Sequence, residues 1–212
     1  MTVRFDCRHS YNHGFSLDVA FEGGEGVTGI CGPSGSGKTT ILMLMAGLLR
    51  PSDGVIILDN RVLVDTARRT WVPPHLRGVG MVFQDGLLFP HMTVRDNLRF
   101  GQSRRPARTI EFERVVEALA IADLLERYPS TLSGGQARRV AIGRALLRGP
   151  RMLMLDEPWS GLEEPLRDQV STLVRQCIEK WRIPTLLVGH DQAFIQSMAD
   201  RVILIQAGRL RS

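Results

Sequence analysis

Gly32-Pro33-Ser34-Gly35-Ser36-Gly37-Lys38-Thr39-Thr40 is the stretch on which the reading of this chain turns. It follows the short apolar run Val27–Cys31, and an apolar helical pattern continues from Thr39 to Leu49 until Pro51 and Gly54 break it. Strand, glycine-rich loop and helix in that order form the context in which Gly-x-x-x-x-Gly-Lys-Thr wraps a phosphate. Glycines let the backbone come close enough for its N–H groups to point at phosphate oxygens, and the helix start adds partial positive charge. Lys38 is expected on the β- and γ-phosphates and the Thr39 hydroxyl on Mg²⁺. Thr40 is grouped with the loop by position, although its side chain is expected to face the helix packing rather than the metal.

Around this loop the pattern alternates. Val55–Leu58, Val79–Gln84 and Met152–Leu155 read as strands, and Thr185–Val188 and Val202–Ile205 flank a helix near Asp191–Ala199. Leu166, Val170, Leu173, Val174, Cys177, Ile178 and Trp181 mark one face of a long amphipathic helix. Alternating strands and helices predict an α/β core with a parallel sheet. Between Asp85 and Gly149 the pattern is largely helical: Phe112, Val115, Val116 and Leu119 recur at helical spacing, and a further helix starts after Ser133-Gly134-Gly135. This segment reads as an insertion into the core.

A chain of 212 residues is about one domain. Its 43% hydrophobic and 23% charged residues exclude wholesale disorder. The longest apolar stretches fall far short of a membrane span, and residues 1–10, with Arg4, Asp6 and Arg8, predict no secretory leader. The net charge of +5 favours anionic partners without choosing among phosphates, membrane surfaces and nucleic acid. Cys7, Cys31 and Cys177 form no disulfide framework, and the last two are expected in the core.

Met152-Leu153-Met154-Leu155-Asp156-Glu157 closes a buried strand with two carboxylates. Asp156 would hold Mg²⁺ through water, and Glu157 would orient or deprotonate an attacking water. Alone, such a run equally marks a strand leaving the core; the phosphate loop in the same chain favours the catalytic reading.

Leu132-Ser133-Gly134-Gly135-Gln136 resembles the signature motif of the ATP-binding cassette (ABC) family, and Gln136 stands 20 residues before Asp156. Ser133 and two glycines at a helix start make a second anion-binding terminus. The resemblance implies ATP and Mg²⁺ as cofactors and a head-to-tail homodimer, in which Ser133, Gly134, Gly135 and Gln136 complete the ATP site of the other chain. Gln84 resembles the Q-loop glutamine, a Mg²⁺ ligand and sensor of a membrane partner. His190, after Leu186-Leu187-Val188-Gly189, resembles the switch histidine on the γ-phosphate; taken alone it would be a cap or a surface group. Pro158–Glu163 occupies the D-loop position, with Glu163 where the family usually has Asp, Gly161 where Ala is common, and Gly189 in place of Ser or Thr. Tyr11 or Phe15 could stack on adenine or simply pack in a hairpin.

The fold so implied is a P-loop NTPase ABC cassette: a mostly parallel sheet core, an antiparallel N-terminal β part and an inserted helical subdomain. One ABC ATPase domain is expected over 1–212, with a RecA-like core at about 1–85 and 149–212, a helical signature subdomain at about 86–148, and no C-terminal regulatory domain. Val82–His91, Val94–Gly101, Gly26–Ile30 and Val72–Arg77 are most similar to ATPase subunits of molybdate importers, although sulfate, ferric iron and polyamine importers share much of them. The function implied is ATP hydrolysis coupled to import of molybdate or tungstate, or of one of those other solutes. Its partners would be integral-membrane permease subunits and, through them, a substrate-binding protein, with no nucleic acid, and its place cytoplasmic and peripheral on the membrane. A soluble ABC ATPase acting on nucleic acid, an exporter subunit and a binding-only cassette are the rival readings. Leu87, Leu88 and Phe89 would dock the permease or fill the insertion's own core; Arg104, Arg105 and Arg108 would be a solvated face or a phosphate contact.

Overall fold

Val3, Phe5 and Cys7 are buried between exposed Arg4, Asp6 and Arg8, and Leu17, Val19 and Phe21 repeat that alternation, so the N-terminal residues fold as an antiparallel pair. Phe5 lies opposite Phe21, and the two rings stack with centroids 5.2 Å apart. The computed structural model describes residues 2–12, 14–102 and 106–211; Arg104 and Arg105 lie outside them. In chain order the elements are β1 (Val3–Ser10), β2 (Ser16–Gly23), β3 (Val27–Cys31), α1 (Lys38–Ala46), β4 (Asp53–Leu58), β5 (Arg61–Asp65), β6 (Thr70–Trp71), β7 (Val79–Val82), α2 (Val94–Gly101), α3 (Phe112–Ala118), α4 (Gly134–Leu147), β8 (Met152–Asp156), α5 (Glu164–Trp181), β9 (Thr185–Gly189), α6 (Gln192–Met198), β10 (Arg201–Gln206) and β11 (Arg209–Leu210). They form two compact units, Met1–Arg77 with Pro184–Ser212, and Gly78–Ile183.

In the first unit the strands run in the order β6-β5-β4-β1-β2-β11-β10-β3-β9. β1, β2, β4, β5 and β6 pair antiparallel, whereas β3 pairs parallel with both β10 and β9. Every residue of β3 and β9 is buried, as expected for parallel strands covered on both faces. α6 packs so closely over β3 that a Cβ at Gly29 would come within 2.4 Å of Ile195. Helix α1 stops at Ala46, short of the expected Leu49, because Gly47 turns left-handed at φ 82° and its N–H closes on the Leu44 and Met43 carbonyls. Arg77 is wholly buried against that end, donating to the Leu44, Met45 and Val72 carbonyls at 2.8–2.9 Å and lying over the Trp71 ring. Burial pushes its pKa down to about 10.

In the second unit β7 and β8 pair parallel. α4 packs with α2, α3 and α5, and α5 buries Val170, Ser171, Val174, Cys177 and Ile178 on the face its periodicity predicts. Arg108 is not on a solvated face: it is half-buried and donates to the Trp181 carbonyl at the end of α5, where a cation complements the helix terminus. Cys7, Cys31 and Cys177 are buried free thiols, and burial raises Cys7 and Cys177 to about 12. Among the described residues no helix is long and apolar enough to cross a membrane.

Candidate functional site

The phosphate loop begins where β3 ends. Gly32 cannot carry a side chain, since a Cβ there would lie 2.1 Å from the Ile205 carbonyl. Gly35 and Gly37 adopt φ of 77° and 106°, and Gly37 forms the N-terminus of α1, which no side chain caps. Lys38 is buried, and its ammonium donates to the Gly32 and Pro33 carbonyls at 2.9 and 3.0 Å. The loop therefore holds its own cation beside its amides. Thr39 is exposed, whereas Thr40 is buried with its hydroxyl 3.3 Å from that of Tyr11. Pro33 and Ser34 are exposed on the loop, and Ser36 Oγ is buried with no hydrogen-bond partner. That orphaned hydroxyl, two left-handed glycines and a buried lysine fit a phosphate as ligand.

His190 stands at the same end of the first unit's sheet. Cys31, the last residue of β3, pairs with Gly189 at the end of β9, and Gly32 N donates to the Gly189 carbonyl at 3.3 Å. His190 is exposed. The glycine before it has a local reason, because a Cβ at 189 would come within 3.0 Å of Ile195. Tyr11 packs against His9 and Phe15 in the hairpin.

In the second unit Asp156 is buried at the end of β8, and Glu157 follows with the left-handed φ of 44°. Such a backbone at a non-glycine residue costs about 1 kcal/mol or more and persists where the surroundings impose it. Gln84 lies two residues beyond Val82, whose strand partner is Leu155; Gln84 and Glu157 thus leave paired strands at the same end. Gln84 Nε2 donates to Ser160 Oγ at 3.2 Å. Among the described residues no cluster of His, Cys, Asp and Glu could hold a metal unaided. Within this unit Gln84 and Asp156 carry hard oxygens of the kind that suits Mg²⁺, which binds through one or two carboxylates plus phosphate and water.

Ser133 starts α4 with a reciprocal capping box: its hydroxyl accepts from Gln136 N, and Gln136 Oε1 accepts from Ser133 N at 2.9 Å. Gly134 is exposed, but Gly135 is buried beneath Leu166, which a Cβ would meet at 2.7 Å. Gly135 therefore also serves packing. Gly161 adopts φ 75°, which explains glycine at that place in the D-loop. Glu163 is at the N-cap of α5 with no side-chain bond to the first turn. Aspartate, one methylene shorter, reaches those amides, so Glu163→Asp is expected to stabilise the chain by about 0.5–1 kcal/mol. A rise in melting temperature of about 1–4 °C would register it.

Three polar residues the sequence did not single out organise the second unit. Asn97 is fully buried and bonds both N–H and carbonyl of Phe89. Arg144 donates to the Gly86 and Leu87 carbonyls and lies over the Phe89 ring. Arg138 reaches the carbonyls of Phe83 and Ser160. This scaffold leaves Leu87 54% and Phe100 62% exposed, with Leu88 and Phe89 half-buried; the apolar segment is neither wholly core nor wholly surface.

A buried lysine in a glycine loop, paired carboxylates after a buried strand and a serine-capped signature helix define an ATP-binding cassette by fold. The family model described as ABC transporter matches residues 16–160, and the chain belongs to that family. It is 45% identical over 196 residues to the molybdenum import ATP-binding protein of Rhodospirillum rubrum, covering 92% of this chain and 53% of that protein. To the protein of that name from Mesorhizobium japonicum it is 42% identical over 212 residues, covering 99% and 57%. The chain spans about half the length of the curated relatives it matches. Among solved structures it resembles cbiO1 of Clostridium perfringens, part of the cbiONQ ABC transporter complex, with TM-score 0.84, 26% identity and coverage of 99% of this chain and 86% of that one. A dimeric ATP-binding cassette in a post-hydrolysis state with ADP and phosphate superposes with TM-score 0.79 at 26% identity, covering 100% and 97%.

Proposed function

We propose that this chain is the ATP-hydrolysing, energy-coupling subunit of an ABC importer for molybdate or tungstate. The observation that carries the reading is its 40–45% identity, across 88–99% of its own length, to molybdenum import ATP-binding proteins of several bacteria.

In this reading Gly32 through Thr40 cradle the phosphates with their amides, and Lys38 and His190 place positive charge and hydrogen bonds on the γ-phosphoryl. Thr39, Gln84 and Asp156 hold Mg²⁺, which supplies neutralisation of phosphate charge when bound. Glu157 orients the attacking water and takes its proton. Ser133, Gly134, Gly135 and Gln136 serve the site of a second copy in a homodimer. Fixed charges and dipoles of this kind account for most of the rate gain in phosphoryl transfer.

Leu87, Leu88, Phe89 and Phe100 offer an apolar surface of the sort that marks an interface, and we assign it to permease subunits that in turn meet a substrate-binding protein. The chain then works on the cytoplasmic face of the membrane, and nucleic acid has no part. Uptake of isotope-labelled molybdate by cells carrying the chain with its permease tests the assignment. Uptake that tungstate competes away and sulfate does not is expected. Competition by sulfate alone would move the solute to another oxyanion class and leave the ATPase reading standing.

A further inference from the structure

Helix α4 carries a guanidinium that fastens two turns at once. Arg138 donates from one terminal nitrogen to the Phe83 carbonyl and from the other to the Ser160 carbonyl, each at 3.3 Å. Both carbonyls belong to tight turns. Phe83 O also accepts from Gly86 N at 2.9 Å, and Gly86 has φ 69°; Ser160 N donates to Glu157 O at 3.0 Å, and Glu157 has φ 44°. Gln84 joins the same turns a second time through Ser160 Oγ at 3.2 Å. The result is a closed ring running Arg138, Phe83, Gln84, Ser160 and back.

The ring suits arginine chemistry. A planar fork can serve two carbonyls simultaneously, whereas the ammonium of lysine is a single point on a flexible stem. Bonds from a cation to a carbonyl are stronger than neutral ones. Partial burial lowers the Arg138 pKa and nearby Asp85 opposes that shift, but a guanidinium remains charged throughout the physiological range.

We propose that Arg138, outside the signature motif, is a positioning residue that holds the turns at 83–86 and 157–160 and so fixes the orientation of Gln84 and Glu157. The proposal rests on the hydrolytic reading of Glu157 given above. It makes the signature helix the mechanical support of both groups within its own chain.

Hydrogen exchange on the nucleotide-free chain tests this without reference to activity. Arg138→Met is expected to speed amide exchange at residues 84–87 and 159–162 by roughly tenfold or more, leaving residues 140–147 protected. In steady-state assays kcat should fall roughly tenfold while KM for ATP moves less than about twofold. Arg138→Lys should recover only part of the loss. Unchanged exchange in both turns would overturn the proposal, as would unchanged kcat despite loosened turns. Exchange rising evenly across the chain with a lowered melting temperature would also overturn it, in favour of a purely structural arginine. Absence of turnover in the unmodified chain would instead overturn the hydrolytic reading, and the exchange comparison alone would then decide on Arg138.

Discussion

Glu157→Gln is expected to slow phosphate release from ATP by about 10²–10⁴-fold, the usual worth of a positioned general base. The amide matches the carboxylate in size and hydrogen-bond reach, so the left-handed turn at 157, with Ser160 N on the 157 carbonyl at 3.0 Å, should survive. What is lost is the ability to take a proton. Nucleotide affinity should therefore persist, and ATP-bound dimer should accumulate. Phosphate release and size-exclusion chromatography in the presence of Mg·ATP read the two effects separately. Turnover at the normal rate would remove Glu157 from its role.

Lys38→Ala acts earlier in the cycle. The substitution removes a buried cation that two loop carbonyls hold at 2.9 and 3.0 Å. A bound polyphosphate would then lose a compact positive charge held at the loop, and charge-assisted bonds are the strong ones. Nucleotide affinity is expected to fall at least about tenfold, equivalent to about 1.4 kcal/mol. Titration with a fluorescent ATP analogue would measure it, and molybdate uptake dependent on the chain should cease. Binding at the original affinity would show that the amides alone carry the phosphates.

These two groups were legible because each sits in an uninterrupted local pattern: an apolar run, then a loop or a strand end. The same locality explains β8, β9 and the apolar face of α5. Other signals were present but weaker. Leu58-Asp59-Asn60-Arg61 is a two-residue hairpin, with both central residues left-handed at φ 54° and 60°, a conformation that Asp and Asn favour. The alternation in β1 and β2 was likewise readable, although the resemblance placed an antiparallel part there without fixing its strands. Arg77, Arg138 and Arg144 could not be read locally. Each has an acceptor far along the chain, 33, 55 and 58 residues away at Leu44, Phe83 and Gly86. A charged residue amid helical sequence defaults to solvent, and only tertiary packing turns it inward. Arg108 illustrates the same error at the end of α5.

The capping box at the head of α4 has a chemical corollary. A serine hydroxyl can accept from an amide with one lone pair and still donate its own proton elsewhere. Ser133 accepts from Gln136 N, so the proton is the part of the group left to turn outward. Aspartate would cap the helix as well, yet it has no proton to offer and its charge would repel an anion. Serine at 133 thus lets one atom close the helix inward while presenting a donor to whatever arrives from outside, and aspartate at that position would keep the first duty and lose the second.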